Sequence, residues 1–303
     1  MGTSLWLYTS FQRAGPLDEE IVLIIPKGVS SAKIALDLET AGIIADSRIF
    51  RLGLRLFRPS MPLRAGEFLF PAQVSPFDAI HILQSGQTVA RYFTVAEGLS
   101  HAKIVDRLIN TAGMTGSVGK LPEEGWLLPE TYHFSFGEAR HRLIEQMNKS
   151  MVNLLDELWV KRAAGLPFKS PYEALILASI VEKETGIVAE RARVAAVFID
   201  RMRKGMRLQS DPTVVYGLTL GRWELGRSLT HDDLRHATPY NTYLIKRLPP
   251  TPIANPGRAA LLAVLHPVES DEIYFVADGK GGHMFAKTLK GHNANVARWR
   301  NLR

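Results

Sequence analysis

The stretch from Pro171 to Glu184 constrains the fold of this chain more than any other. Ala174-Leu175-Ile176-Leu177-Ala178 and then Ile180-Val181 put apolar side chains on nearly every face of a helix. Pro171 suits the first turn of that helix, where its missing N–H costs nothing. A helix with almost no polar face has to be enclosed, so the chain must build a core around it. With 303 residues, of which 46% are hydrophobic and 22% charged, it is long enough for that core and for a second, smaller one.

The flanking sequence supplies the partners. Leu143, Met147, Met151, Leu154, Leu155 and Leu158 form an apolar stripe at helical spacing, and Glu190 to Lys204 reads as a further amphipathic helix beyond the break at Gly186. Past Lys204 the chain reads as loop-rich until Ile273 to Val276, a strand before the turn at Asp278-Gly279.

The N-terminal part is organised differently. Ile21 to Ile25 is a short, β-branched apolar run closed by Pro26 and Gly28, which predicts a buried strand. A helix capped by Ser30 or Ser31 should follow, with Ile34, Leu38 and Ala41 on one face and Gly42 ending it. A helix over Ser47 to Leu56, a strand over Glu67 to Phe70 and a helix from Pro76 to Gln84 complete a small α+β module. Val89 to Val95 is strand-like, and Ser100 to Asn110 is helical with Ile104, Val105 and Leu108 inward. The strings IPKGVSSAKIALDL and VAEGLSHAKIVDRL repeat one strand-turn-helix element.

Charge and composition exclude several classes. Lys and Arg number 37 against 30 Asp and Glu, a formal charge of +7, which favours polyanionic partners. The basic strings KRAAG, RMRKGMR and Arg298 to Arg303 read as solvated helix faces, and no nucleic-acid reading motif accompanies them. The absence of cysteine removes disulfides, thiolate metal sites and cysteine nucleophiles. The nine histidines lack paired zinc spacing, and His81, His101 and His283 read as surface or core residues, so neither metal nor organic cofactor is expected. The glycine-rich Asp278 to His283 lacks the ending of a phosphate-binding loop and reads as a hairpin turn. No stretch approaches the ~20 apolar residues of a membrane helix. Leu5, Trp6, Leu7 and Tyr8 nevertheless resemble the aromatic-belted outer end of such a span.

Chemistry concentrates at the end of the apolar helix, where Glu182 and Glu184 follow Ile180 and Val181. A buried carboxylate is costly and needs a reason. One reason is general acid catalysis of glycoside cleavage, because an apolar surround and the negative end of the helix dipole both keep a carboxyl protonated near neutral pH. The residues one turn earlier are Ile180 and Val181 for Glu184 but Ala178 and Ser179 for Glu182, so Glu184 is the drier candidate catalyst and Glu182 its support. Two positions apart, they face different directions and cannot form the facing pair of a two-carboxylate glycosidase. The competing reading pairs either glutamate with Lys183, Arg191 or Arg193 at the helix end.

The segment SIVEKETG followed by RVAAVFIDRMRKGMRLQSDPTVVYG resembles the signature region of the MltG-like (YceG-like) endolytic transglycosylases. EGWLLPETYHF, TPYNTY, LPPTPIANPG and HPVESDEIYFVADGKGGHMFAKTLKGHN resemble further segments of that family, in its order. The resemblance implies an α+β chain with three parts: a remnant over 1–16 flanking a removed or absent membrane span, a LysM-like module over 17–90, and a mainly helical catalytic domain with a few strands over 91–303. It implies cleavage of the β-1,4 bond between N-acetylmuramic acid and N-acetylglucosamine in peptidoglycan strands, leaving 1,6-anhydromuramoyl ends. It also implies a single-pass protein of the bacterial inner membrane whose catalytic part faces the periplasm, with cell-wall synthases as candidate partners. Glu184 would serve first as acid and then as base, with Glu182 and Glu130 as supporting or alternative acids. Gln209, Ser210, Asp211 and Thr213 around Pro212, with Tyr216, Tyr240, Asn241 and Thr242, are the candidate sugar contacts, and Tyr243 is a further aromatic candidate. The rival readings are a non-catalytic peptidoglycan-binding scaffold and a muramidase that leaves reducing ends.

Overall fold

The structure is a computed structural model that describes residues 2–57 and 61–301. The chain divides into two compact units, one comprising residues 1–93, 111–116 and 133–139, the other 94–110, 117–132 and 140–303. Both combine helices with small sheets, so the chain is α+β, as the sequence predicts.

In the first unit the order is α1 (Gly2–Gln12), β1 (Ile21–Ile25), α2 (Ser31–Thr40), α3 (Ser47–Phe57), β2 (Gly66–Phe70) and α4 (Pro76–Ser85). Four short strands follow, β3 (Arg91–Thr94), β4 (Met114–Thr115), β5 (Thr131–Phe134) and β6 (Glu138–Ala139), of which Thr94, Thr131 and Tyr132 are counted with the second unit. Strands β1 and β2 pair antiparallel with Ile21 opposite Phe70 and Ile25 opposite Gly66, β3 pairs with β5, and β4 runs parallel to β6. The apolar run of β1 is not buried on both faces: Val22 and Ile24 are exposed while Ile25 is enclosed. A two-stranded sheet covered on one side alternates inside and outside whatever its composition. Phe11, Ile34, Leu38, Phe50, Phe68, Phe70, Ile80 and Leu83 form the core. Residues 1–16 contribute to it, because the fully buried ring of Phe11 packs over Gly53 of α3, where a Cβ would come within 2.2 Å of a ring carbon. Met1 and the side chain of Leu5 lie outside the described residues.

The second unit is built as the apolar helix demands. It contains α5 (His101–Ile109), α6 (Arg140–Val160), α7 (Pro171–Glu184), α8 (Val188–Arg203), α9 (Asp211–Thr219), α10 (His231–Arg235), α11 (Arg258–Leu265), β7 (Tyr274–Ala277), β8 (His283–Ala286) and α12 (Leu289–Arg300). Helix α7 is capped by Ser170, whose side chain accepts from Glu173 N, and every residue from Ala174 to Glu182 is buried. Helices α6, α8 and α11 pack against it, and α11 also packs on α8. Strands β7 and β8 form an antiparallel hairpin, with Ala277 opposite His283 at its turn, and α12 lies against both strands.

The region after Lys204 differs from the loop-rich expectation, since it holds α9, α10 and α11. Pro212 is not a loop residue but sits in the first turn of α9. These helices are too short for a periodic signal and are held by packing instead. The repeated element is real at the level of local chemistry. In both copies a glycine with positive φ, Gly28 at 81° and Gly98 at 73°, precedes a serine by two residues. Ser30 then accepts from Lys33 N and Ser100 from Lys103 N, capping α2 and α5.

Candidate active site

The C-terminus of α7 delivers Glu182 and Glu184 into two different environments. Glu182 is enclosed, with one carboxylate oxygen accepting from Arg191 Nη2 at 3.0 Å and the other from Gly257 N at 2.9 Å. Arg191 also donates to Glu97 at 3.0 Å. A Cβ at position 257 would lie 1.8 Å from Glu97 Oε1, so a larger residue there would push the Glu97 carboxylate aside. Burial pushes the Glu182 carboxyl up, against the opposing pull of Gly257 N–H and Arg191. Fully committed to protein partners, Glu182 is an anchor for α8 and the start of α11.

Glu184 is half-buried and, among the described residues, forms no ion pair. Its carboxyl accepts one hydrogen bond, from Ser210 Oγ at 2.5 Å. Burial, reinforced by the nearby Asp211 carboxylate, pushes it up to about 7, against the pull of Ser210 and the more distant Arg201. It lines a cavity of about 470 Å³ walled by Ala277, Gly279, Gly281, Gly282 and His283 of the hairpin and by Trp299 of α12. The glycines leave this wall largely as bare backbone. His283 is fixed against Glu190 by contacts of 2.8 Å through Nδ1 and 3.1 Å through its N–H.

The Ser210 hydroxyl is aimed by its own scaffold. Gln209, at φ 52°, turns the chain into the N-cap of α9. Ser210 N donates to Thr242 Oγ1 at 2.9 Å, Thr213 Oγ1 donates to Ser210 O at 2.6 Å, and the two threonine hydroxyls lie 2.8 Å apart. Asn241 stitches this turn to α10 by donating to the carbonyls of Leu234 at 3.0 Å and His236 at 2.8 Å. Buried Arg201 donates to the carbonyls of Leu208 at 2.5 Å and Ile273 at 2.7 Å, tying the same turn to the start of the hairpin. Asp211 is exposed and accepts from Tyr243 Oη at 2.6 Å.

A second cavity, of about 520 Å³, is lined by Lys103, Lys183, Asp211, Tyr216, Trp223 and Arg227 among others. Tyr216 of this lining contacts a second buried acid, Glu124. Glu124 accepts from His101 N at 2.9 Å, Asn255 Nδ2 at 3.0 Å and Tyr216 Oη at 3.3 Å, and burial pushes it up to about 7. The neighbouring His101 ring is held down at about 4 by burial.

A half-buried acid poised near neutrality, fixed by one hydroxyl and opening on a cavity, is what glycoside cleavage by a single carboxyl requires. The sequence profile of the YceG-like family matches residues 23–298, nearly the whole chain. The chain belongs to the YceG-like family. It is 37% identical to the endolytic murein transglycosylase of Bacillus subtilis over a region covering 57% of this chain and 47% of that protein. It is 27% identical to the endolytic murein transglycosylase of Streptococcus pneumoniae D39, over 90% of this chain and 57% of that one. The chain thus spans about half the length of the curated relatives it matches. The crystal structure of a yceG-like protein from Listeria monocytogenes aligns with TM-score 0.55 and 30% identity, over 91% of this chain and 99% of that chain.

In this YceG-like chain the expected site residues fall into three groups. Glu184, Ser210 and Asp211 come together, with Gln209 exposed beside them. Thr213, Asn241 and Thr242 are fully enclosed and hold the Ser210 turn. Tyr216 reaches the second cavity with its ring edge-on to Tyr240 at 4.9 Å, and the Tyr240 hydroxyl is engaged by Thr251 at 2.9 Å. Tyr243 supports Asp211. Glu130 is exposed and does not join Glu184. Sequence reading missed the Asp278 to His283 hairpin as a cavity wall, Glu124 as the second buried acid, and Trp223 with Lys183 as lining of the neighbouring cavity. Its glycine run was the available signal for the hairpin, since repeated glycine lets backbone approach a ligand. Among the described residues no cluster of His, Asp and Glu has the makings of a metal site, and no helix is long and apolar enough to cross a membrane.

Proposed function

We propose that this chain is the catalytic part of an endolytic murein transglycosylase, with Glu184 as its single acid and base. The observation that carries the proposal is the state of Glu184: pushed up to about 7, held by the Ser210 hydroxyl, without an ion pair among the described residues and open to a cavity. Protonated Glu184 donates its proton to the glycosidic oxygen as that bond to the muramoyl C1 breaks. The resulting carboxylate then takes the proton of the muramoyl 6-hydroxyl as O6 closes on C1. Atoms balance without water, the product is a 1,6-anhydromuramoyl end, and Glu184 returns to its starting state. Ser210 sets the acid's orientation in both steps, and the cavities lined by Glu184 and by Lys183 offer room for saccharide around the cleaved bond. The endolytic activity named for the two bacterial relatives supports this reading.

The coarser assignment, a family whose relatives are named for action on murein, extends to finer proposals. Residues 17–90 serve as a LysM-like wall-binding module and 91–303 as the catalytic domain. The intact protein would be a single-pass inner-membrane protein with its catalytic part in the periplasm, acting on strands beside cell-wall synthases.

The test is mass spectrometry of products from purified peptidoglycan strands incubated with the chain and with Glu184→Gln. Anhydromuramoyl ends from the parent but not the variant are expected. Reducing ends would make the protein a hydrolase, and cleavage undiminished in the variant would remove Glu184 from its role.

A further inference from the structure

The exposed face of α3 bears an arrangement that the core does not explain. Arg48, Arg51, Leu52, Arg55 and Leu56 recur at helical spacing and are all exposed, while Phe50 and Gly53 on the opposite side enter the core. Leu52 and Leu56 are 44% and 56% exposed, and Met61, just beyond the helix, 49%. Among the described residues none of the three guanidinium groups pairs with a carboxylate. The three arginines and Leu52 line a shallow cavity of about 880 Å³ that Met61 and Leu63 continue. An arginine row interleaved with exposed aliphatic side chains, on a helix otherwise packed into its module, leaves both its charge and its apolar area unmatched.

We propose that this face docks on the surface of an anionic phospholipid bilayer, with the three guanidinium groups on lipid phosphates and Leu52, Leu56 and Met61 in the acyl boundary. Charge complementarity chooses the occupant: the stripe carries three cations and no acid, and arginine binds phosphate oxygens through a planar fork. The leucines choose between a bilayer and a merely anionic polymer, because a glycan strand or nucleic acid satisfies the arginines but leaves the aliphatic side chains wet. The rigid base of the face is the Phe11 ring seated on Gly53, which clamps α1 to α3. The proposal is independent of the catalytic reading of Glu184, which lies in the other unit.

Each basic residue at an anionic surface adds about 1 kcal/mol, or about fivefold in partition. Flotation of the whole chain with phosphatidylglycerol vesicles should therefore show binding that falls about a hundredfold in Arg48→Ser/Arg51→Ser/Arg55→Ser. It should fall with added salt, and be absent with phosphatidylcholine vesicles. Leu52→Ser/Leu56→Ser should weaken binding while leaving its salt dependence in place. All five positions are exposed, so circular dichroism and thermal melting should be unchanged. Absence of binding by the parent chain, or binding equal in the triple variant, overturns the proposal. So would retention of binding in the leucine variant together with competition by soluble peptidoglycan strands, which would make the face a glycan site.

Discussion

Replacing Ser210 by alanine removes the one hydrogen bond that stabilises the ionised form of Glu184 and leaves the rest of its surroundings in place. Hydrogen bonds to charged groups contribute about 1.5–3 kcal/mol, and about 1.4 kcal/mol corresponds to one pH unit in a pKa. Glu184 stands at about 7 in the parent chain, so Ser210→Ala should carry it to about 8–9. The sign follows from which form the hydroxyl serves: it donates to the carboxylate, so its loss favours the protonated acid. Because the first step needs that acid, the alkaline limb of kcat/KM should move up by about one to two pH units. At pH 8 about a tenth of the parent but half or more of the variant is protonated. The assay is the rate of anhydromuramoyl-end formation over about pH 5 to 10, with melting curves confirming that the Thr242 and Thr213 contacts still hold the turn. A limb that stays in place, or moves to lower pH, would refute Glu184 as the titrating acid held by Ser210.

Two further outcomes separate the glutamates by stability. Glu184 has a folded pKa raised from 4.5 to about 7, so its stabilising protonation is complete below about pH 4.5 and lost as pH rises through about 7. Glu184→Gln, which stays neutral, should match the parent near pH 4.5 and exceed it by about 2–3 kcal/mol above pH 8 in thermal denaturation, and equal stability at both pH values would contradict the burial cost. Arg191→Met strands the enclosed Glu182 without its cation and should destabilise the fold by about 3–5 kcal/mol at pH 7, whereas a loss under ~1 kcal/mol would show the pair to be dispensable.

Much of the candidate site was legible because its signal is local. The dry end of an all-apolar helix singles out Glu184 as a candidate, and the residues one turn earlier rank it above Glu182. What separates the two in the folded protein is not local. Arg191 arrives from α8 and Gly257 from the N-terminus of α11 to fix Glu182, while among the described residues Ser210, from before α9, is the side chain that hydrogen-bonds Glu184. The competing ion-pair reading turned out to describe Glu182.

The sequence alone determined that α7 must be enclosed, that small strand-turn-helix modules precede it, and where serine caps and left-handed glycines open and close helices, because these depend on periodicity and on backbone preference over a few residues. Tertiary structure decided the roles of Thr213, Asn241 and Thr242, whose polar side chains fit a sugar contact as well as a scaffold until their protein partners are known. It also decided that the Asp278 to His283 turn forms a wall of the Glu184 cavity. Likewise it made Glu124, which carries no mark in the sequence, a buried acid, since burial and hydrogen-bond partners come from residues far apart in the chain and no local pattern encodes them.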